Sequence, residues 1–169
     1  PRDWSSDVCS SDLRQMPRVA VLFTPDARSS IQEVSTGRDA VYATIFTNVT
    51  GSVHTFRLRD GAWHDVKLSL PEGGSPGIVA VNEFGPEAFF VYQSFLNPTT
   101  LYFEAGQDAP QGIKSLPPRF DAANMVSEQF EATSKDGTKI PYFVVHPRDA
   151  KGPQPMLLYG YGGFEISLT

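Results

Sequence analysis

The sequence predicts a mainly β fold: a partial β-propeller of about two blades, followed past Pro117 by a second unit that opens on further strands. Three observations carry this expectation. Helical periodicity is almost absent. Short runs rich in β-branched and aromatic residues alternate with Gly, Pro, Asn and Asp. Part of the chain also repeats weakly, at a spacing of 48 residues (88 minus 40), which is the span of one four-stranded propeller blade.

In chain order, "RVAVLF" (Arg18 to Phe23) is the first expected strand. Ser30 and Glu33 have capping-box spacing, but "STGRD" from Ser35 stops a helix within a turn or two, so a loop with one helical turn is expected there. "AVYATIF" (Ala40 to Phe46) and "SVHTFRLR" (Ser52 to Arg59) are strands joined by the turn "TNVTG". Asp60-Gly61 is a hairpin turn, and "HDVKLSL" after it alternates Val66, Leu68 and Leu70 with polar neighbours. The second copy begins at Ala88 with "AFFVYQSF" and continues with "TTLYFEA" from Thr99 and "GIKSLP" to Pro117. Ala40 matches Ala88, Ser52-Val53 matches Thr100-Leu101, and the two "SLP" triplets end at Pro71 and Pro117.

"AVYATIF" is apolar on both faces, with Val41, Ala43 and Ile45 on one and Tyr42 and Phe46 on the other. A strand buried on both sides needs its sheet sandwiched between neighbours. Blade stacked on blade supplies that environment, and another all-β sandwich stays open as a rival on pattern alone.

Pro117-Pro118 disfavours both helix and central strand, and marks the expected boundary between units 14–117 and 118–169. Beyond it, "VSEQFEATS" and "TKIPYFVVHP" flank the turn Lys135 to Gly137 and read as a hairpin. "MLLYGYGGF" then runs apolar from Met156 as a strand before breaking into glycines.

Composition narrows the partners. Fourteen Lys and Arg against nineteen Asp and Glu give a formal net charge of -5 with no basic run, which argues against nucleic acid or an anionic membrane. No apolar stretch has bilayer length. The single cysteine, Cys9, builds neither an internal disulfide nor a zinc site, and His54, His64 and His146 lack ligand spacing, so no metal and no cofactor is expected. Asn48-Val49-Thr50 fits a glycosylation triplet, a pattern common by chance.

The chemistry concentrates in "LLYGYGGF", Leu157 to Phe164. Glycines at the end of an apolar strand permit a sharp turn or a close backbone approach, and no Gly-Lys-Ser/Thr follows to make a phosphate loop. A tight turn and a donor-rich loop both fit this pattern. "TSKDGTKIPYFVVHP" followed by "PMLLYGYGGFEISLT" resembles the prolyl oligopeptidase family of serine peptidases, and "FVYQSFLNPTTLYFE" resembles its last propeller blade. The second half of "YGYGGF" favours the prolyl oligopeptidase branch over oligopeptidase B, although Glu165 stands where many members have Asn.

The resemblance implies a partial propeller leading into the first strands of an α/β-hydrolase domain, in a monomeric enzyme that cleaves short proline-containing peptides. It implies that Tyr161 donates its hydroxyl to the oxyanion of the tetrahedral intermediate, and that Phe164 lines the pocket for the substrate proline. The family's catalytic serine sits in a Gly-x-Ser-x-Gly elbow beyond the glycine motif, and no such elbow follows "YGYGGF" in these 169 residues. The chain is therefore expected to be an inactive piece of the enzyme, prone to aggregate alone, with cytoplasm and periplasm both open as its compartment. The rival reading is a non-catalytic propeller or all-β interaction module, separated from the first by whether the reading frame continues into such an elbow.

"DWSSDVCSSDL", Asp3 to Leu13, matches no part of a blade. It resembles a translated sequencing adapter, so residues 1–13 are expected to derive from an oligonucleotide and Cys9 to carry no chemistry.

Overall fold

The computed structural model describes residues 19–106 and 109–161. The adapter-like segment with Cys9, and Phe164 at the other end, lie outside the described residues. Ten strands and no helix are found among those described: β1 (Ser29–Thr36), β2 (Val41–Thr47), β3 (Thr50–Arg59), β4 (Ala62–Lys67), β5 (Ser75–Val81), β6 (Glu87–Gln93), β7 (Thr100–Ala105), β8 (Gln111–Ser115), β9 (Met125–Thr133) and β10 (Lys139–Pro147). They form two four-stranded antiparallel meanders, β1 to β4 and β5 to β8, and a separate β9–β10 hairpin.

Local chemistry explains the tight connections. Asp60 and Gly61 both have positive φ (51° and 77°), the left-handed pair that a two-residue hairpin between β3 and β4 requires. Asn48 and Val49 do the same between β2 and β3, at φ 48° and 62°. Val49 is β-branched and strained there. The turn is clamped from outside: Asn48 N–H donates to the Arg28 carbonyl at 2.9 Å, and Gln129 Nε2 donates to the Asn48 carbonyl at 2.6 Å.

β2 is buried on both faces, as its apolar pattern requires. Tyr42, with Ala40, packs on Val53, Leu68, Ala88 and Phe90 in the seam between the two meanders. Ala43 and Ile45 face the other way, under Phe56, Leu22 and Phe23. The seam is narrow at Gly51, where an added Cβ would stand 2.3 Å from Pro76 Cδ, and Gly51 N–H donates to the Gly74 carbonyl across it at 3.0 Å.

Five expectations are corrected. The expected loop near Ser30 is β1, and β5 lies between Pro71 and Ala88 where no strand is expected. Both carry a bulge, between Ile31 and Glu33 and between Ile78 and Ala80, which breaks the alternation by which strands are read. Glu33 caps no helix; its Oε2 accepts from Ile78 N–H at 3.0 Å, joining β1 to β5.

"RVAVLF" forms no strand over the described residues 19–23. Leu22 and Phe23 instead pack on the face of the β1–β4 sheet, against the Ala43, Ile45 and Phe56 cluster. The run from Met156 also forms no strand through Tyr161: Leu157 and Leu158 are over 90% exposed, with no described strand alongside to satisfy their backbone.

The internal repeat is real but shifted. Matching the bulges equates Ile45 with Phe90 and Ala43 with Ala88, a spacing of 45 (90 minus 45). Ala40 and Ala88 face each other across the seam, so they are neighbours and not equivalents. An odd shift replaces an even one and exchanges the two faces of the strand.

The hairpin is two-sided. Gln129, Glu131 and Phe143 face the meanders, with Phe143 5.4 Å from Phe95 between ring centroids. Phe130 and Tyr142 stack at 5.6 Å on the opposite face, which remains open.

Gly51→Ala forces its new methyl into Pro76 and is expected to destabilise the seam by about 1–3 kcal/mol. A lowered calorimetric melting midpoint checks this, and an unchanged midpoint would show that the seam relaxes freely.

Candidate functional site

The seam buries a charged cluster. Arg57 on β3 reaches across to β7, where its Nη2 donates to Glu104 Oε1 at 3.1 Å and to the Gly106 carbonyl. The same nitrogen contacts Tyr42 Oη at 3.2 Å, and Tyr42 Oη donates to Glu104 Oε2 at 3.0 Å. The guanidinium lies 5.8 Å from the Tyr42 ring centroid. Glu104 is only 1% exposed, so its carboxylate depends on these donors.

Burial, reinforced by the neighbouring Glu104 carboxylate, pushes the Tyr42 hydroxyl up to about 12, although Arg57 opposes the shift. Tyr42 therefore stays protonated and donates at neutral pH. The cluster ties two sheets together and offers no base or nucleophile.

Two clefts open on the blades, one in the seam between the meanders that the hairpin touches at Gln129, and one between the first meander and the hairpin. One, of about 460 Å³, is lined by Ser52, Lys67, Glu72, Pro76 and Gln129. The other, of about 330 Å³, lies between Arg28, Asn48, Glu131 and Lys139. Arg28 Nη1 meets Glu131 Oε1 at 2.6 Å across it, an exposed pair of modest strength.

The histidines serve the sheets. His54 Nδ1 meets Asp65 Oδ1 at 2.8 Å between β3 and β4, and His146 Nε2 meets Glu128 Oε2 at 2.8 Å between β9 and β10. Glu128 raises the His146 pKa, helped by the Pro147 carbonyl. His64 is exposed on β4. Among the described residues no group of three His, Cys, Asp or Glu could hold a metal ion.

Of the two site residues expected from sequence, Tyr161 ends the described segment, about half exposed. Phe164 lies outside it. Sequence reading overlooked Arg57 and Glu104. The signal was Glu104 itself, a carboxylate inside the otherwise uncharged "TTLYFEA".

Stacked four-stranded antiparallel meanders, each buried against the next, are the blades of a β-propeller. Residues 7–109 match the family model described as the prolyl oligopeptidase N-terminal beta-propeller domain. The chain belongs to the prolyl oligopeptidase family.

An uncharacterized peptidase of Sinorhizobium fredii is 38% identical over 151 residues, covering 88% of this chain and 21% of its own length. The structure of a post-proline cleaving enzyme from Rickettsia typhi superposes with a TM-score of 0.66 at 35% identity, covering 78% of this chain and 19% of that one. A prolyl endopeptidase structure gives a TM-score of 0.73 at 28% identity, covering 86% and 22%. The chain thus spans about a fifth of the length of these relatives.

Tyr42 gives a pH test. Its hydroxyl is protonated more strongly in the fold than in the unfolded chain, so its contribution is complete below about pH 10 and is lost as the pH rises toward 12. Tyr42→Phe is expected to flatten that part of the alkaline limb in a denaturation series. An unchanged limb would place the hydroxyl in water.

Proposed function

We propose that this chain is part of a serine endopeptidase that cleaves short peptides after proline, with the blades restricting which peptides reach the catalytic site. The observation that carries the reading is the family match over residues 7–109, joined in one chain to the motif "YGYGGF". The hairpin and the segment after it then open an α/β-hydrolase domain, and residues 1–13, which include the first seven residues of that match, derive from a sequencing adapter.

In this reading Tyr161 donates to the oxyanion as negative charge develops on the scissile carbonyl. A preorganised donor in a dry site acts on the transition state more than on the bound substrate. Phe164 offers an apolar ring to the substrate proline. The one Gly-x-Ser-x-Gly spacing in the 169 residues, Gly73 to Gly77, opens strand β5 instead of turning from a strand into a helix, so in this reading the nucleophile, its histidine and its aspartate come from elsewhere in the full-length protein.

Tyr161→Phe in the full-length enzyme is expected to lower kcat by about 100-fold or more, with a much smaller change in KM. An unchanged kcat would remove Tyr161 from the oxyanion role. The purified 169-residue chain is expected to release no chromophore from a Gly-Pro substrate, and turnover by it would overturn the assignment of the triad to other residues.

A further inference from the structure

We propose that the Arg57–Glu104 pair makes the seam selective, so that the β1–β4 blade accepts the β5–β8 blade and rejects a second copy of itself. Repeated blades present similar apolar faces, and apolar attraction is non-directional. Mispairing between copies is therefore a hazard of such chains during folding. A buried charge pair can impose the direction that apolar contact lacks.

The blade registers show what the pair discriminates. With Ala43 equated to Ala88 through the two bulges, their cross-strand partners His54 and Glu104 occupy the same position in their blades. Both face the preceding side: His54 lies near Phe23, whereas Glu104 meets blade β1–β4. A second β1–β4 blade docked on the seam would thus present His54 to Arg57 in place of a carboxylate. Asp65, the nearby acid, lies on the outer strand and is already engaged by His54. Arg57 would be buried unpaired and Tyr42 would lose its acceptor, which disfavours the wrong pairing by about 100-fold or more. Among the described residues Glu104 is the one charged side chain in the buried set, so the discrimination rests at a single place in the seam.

The test is refolding of the full-length protein from denaturant at rising protein concentration, with monomer and oligomer separated by size. Arg57→Met combined with Glu104→Met keeps the seam filled and apolar. It is expected to increase the oligomeric fraction several-fold over the parent at the same concentration. His54→Glu leaves the native seam intact and gives β1–β4 the carboxylate that a second copy needs. It too is expected to raise the oligomeric fraction. Refolding of the double variant to monomer in parental yield would overturn the proposal. If the double variant does not fold, parental behaviour of His54→Glu overturns it, and increased oligomer upholds it.

Discussion

Everything in the two-blade unit depends on burying one carboxylate. Glu104 sits on β7, an inner strand of its four-stranded blade, 1% exposed, and Arg57 and Tyr42 reach its carboxylate from the other blade. That requirement sets how closely the blades approach. Gly51 against Pro76, and Ala40 against Ala88, are the small residues that permit the approach. The Tyr42 and Phe90 rings, 5.6 Å apart, fill what remains. Apolar contact supplies most of the driving force, and the charged cluster makes one arrangement of the sheets better than its neighbours.

The junction with the hairpin is built differently. It has polar tethers, Arg28 to Glu131 and Gln129 to the Asn48 carbonyl, with one aromatic contact and a cleft between Arg28 and Lys139. The tethers converge on the strained turn at Asn48-Val49, so the backbone that departs most from ordinary β geometry is also the place where the hairpin meets the blades. The catalytic reading draws on the family match and on the glycine motif.

Much of the fold was legible in the sequence. β2 showed its double burial in "AVYATIF", Asp60-Gly61 showed its turn, and the hairpin showed both strands and the glycine between them. β1 and β5 were hidden for a common physical reason: each carries a bulge, and one extra residue moves every later side chain to the other face. The same parity displaced the repeat from 45 to 48 residues. "RVAVLF" and "MLLYGY" looked like strands because an apolar run reports a surface to be covered, and does not report whether a neighbouring strand pairs with its backbone. Of the site, the Tyr161 motif was visible at once. Arg57 and Glu104 were not, because their partnership spans 47 residues and exists only once the blades stack.

A double-mutant cycle on Arg57→Met and Glu104→Met, read by equilibrium unfolding of the full-length protein, tests this most directly. Each single change leaves a buried group without its partner, while the pair of changes removes both together. A stacked seam predicts a coupling energy of about 1–3 kcal/mol. Additive effects within experimental error would mean that Arg57 and Glu104 do not meet, and that the two blades do not pack as described.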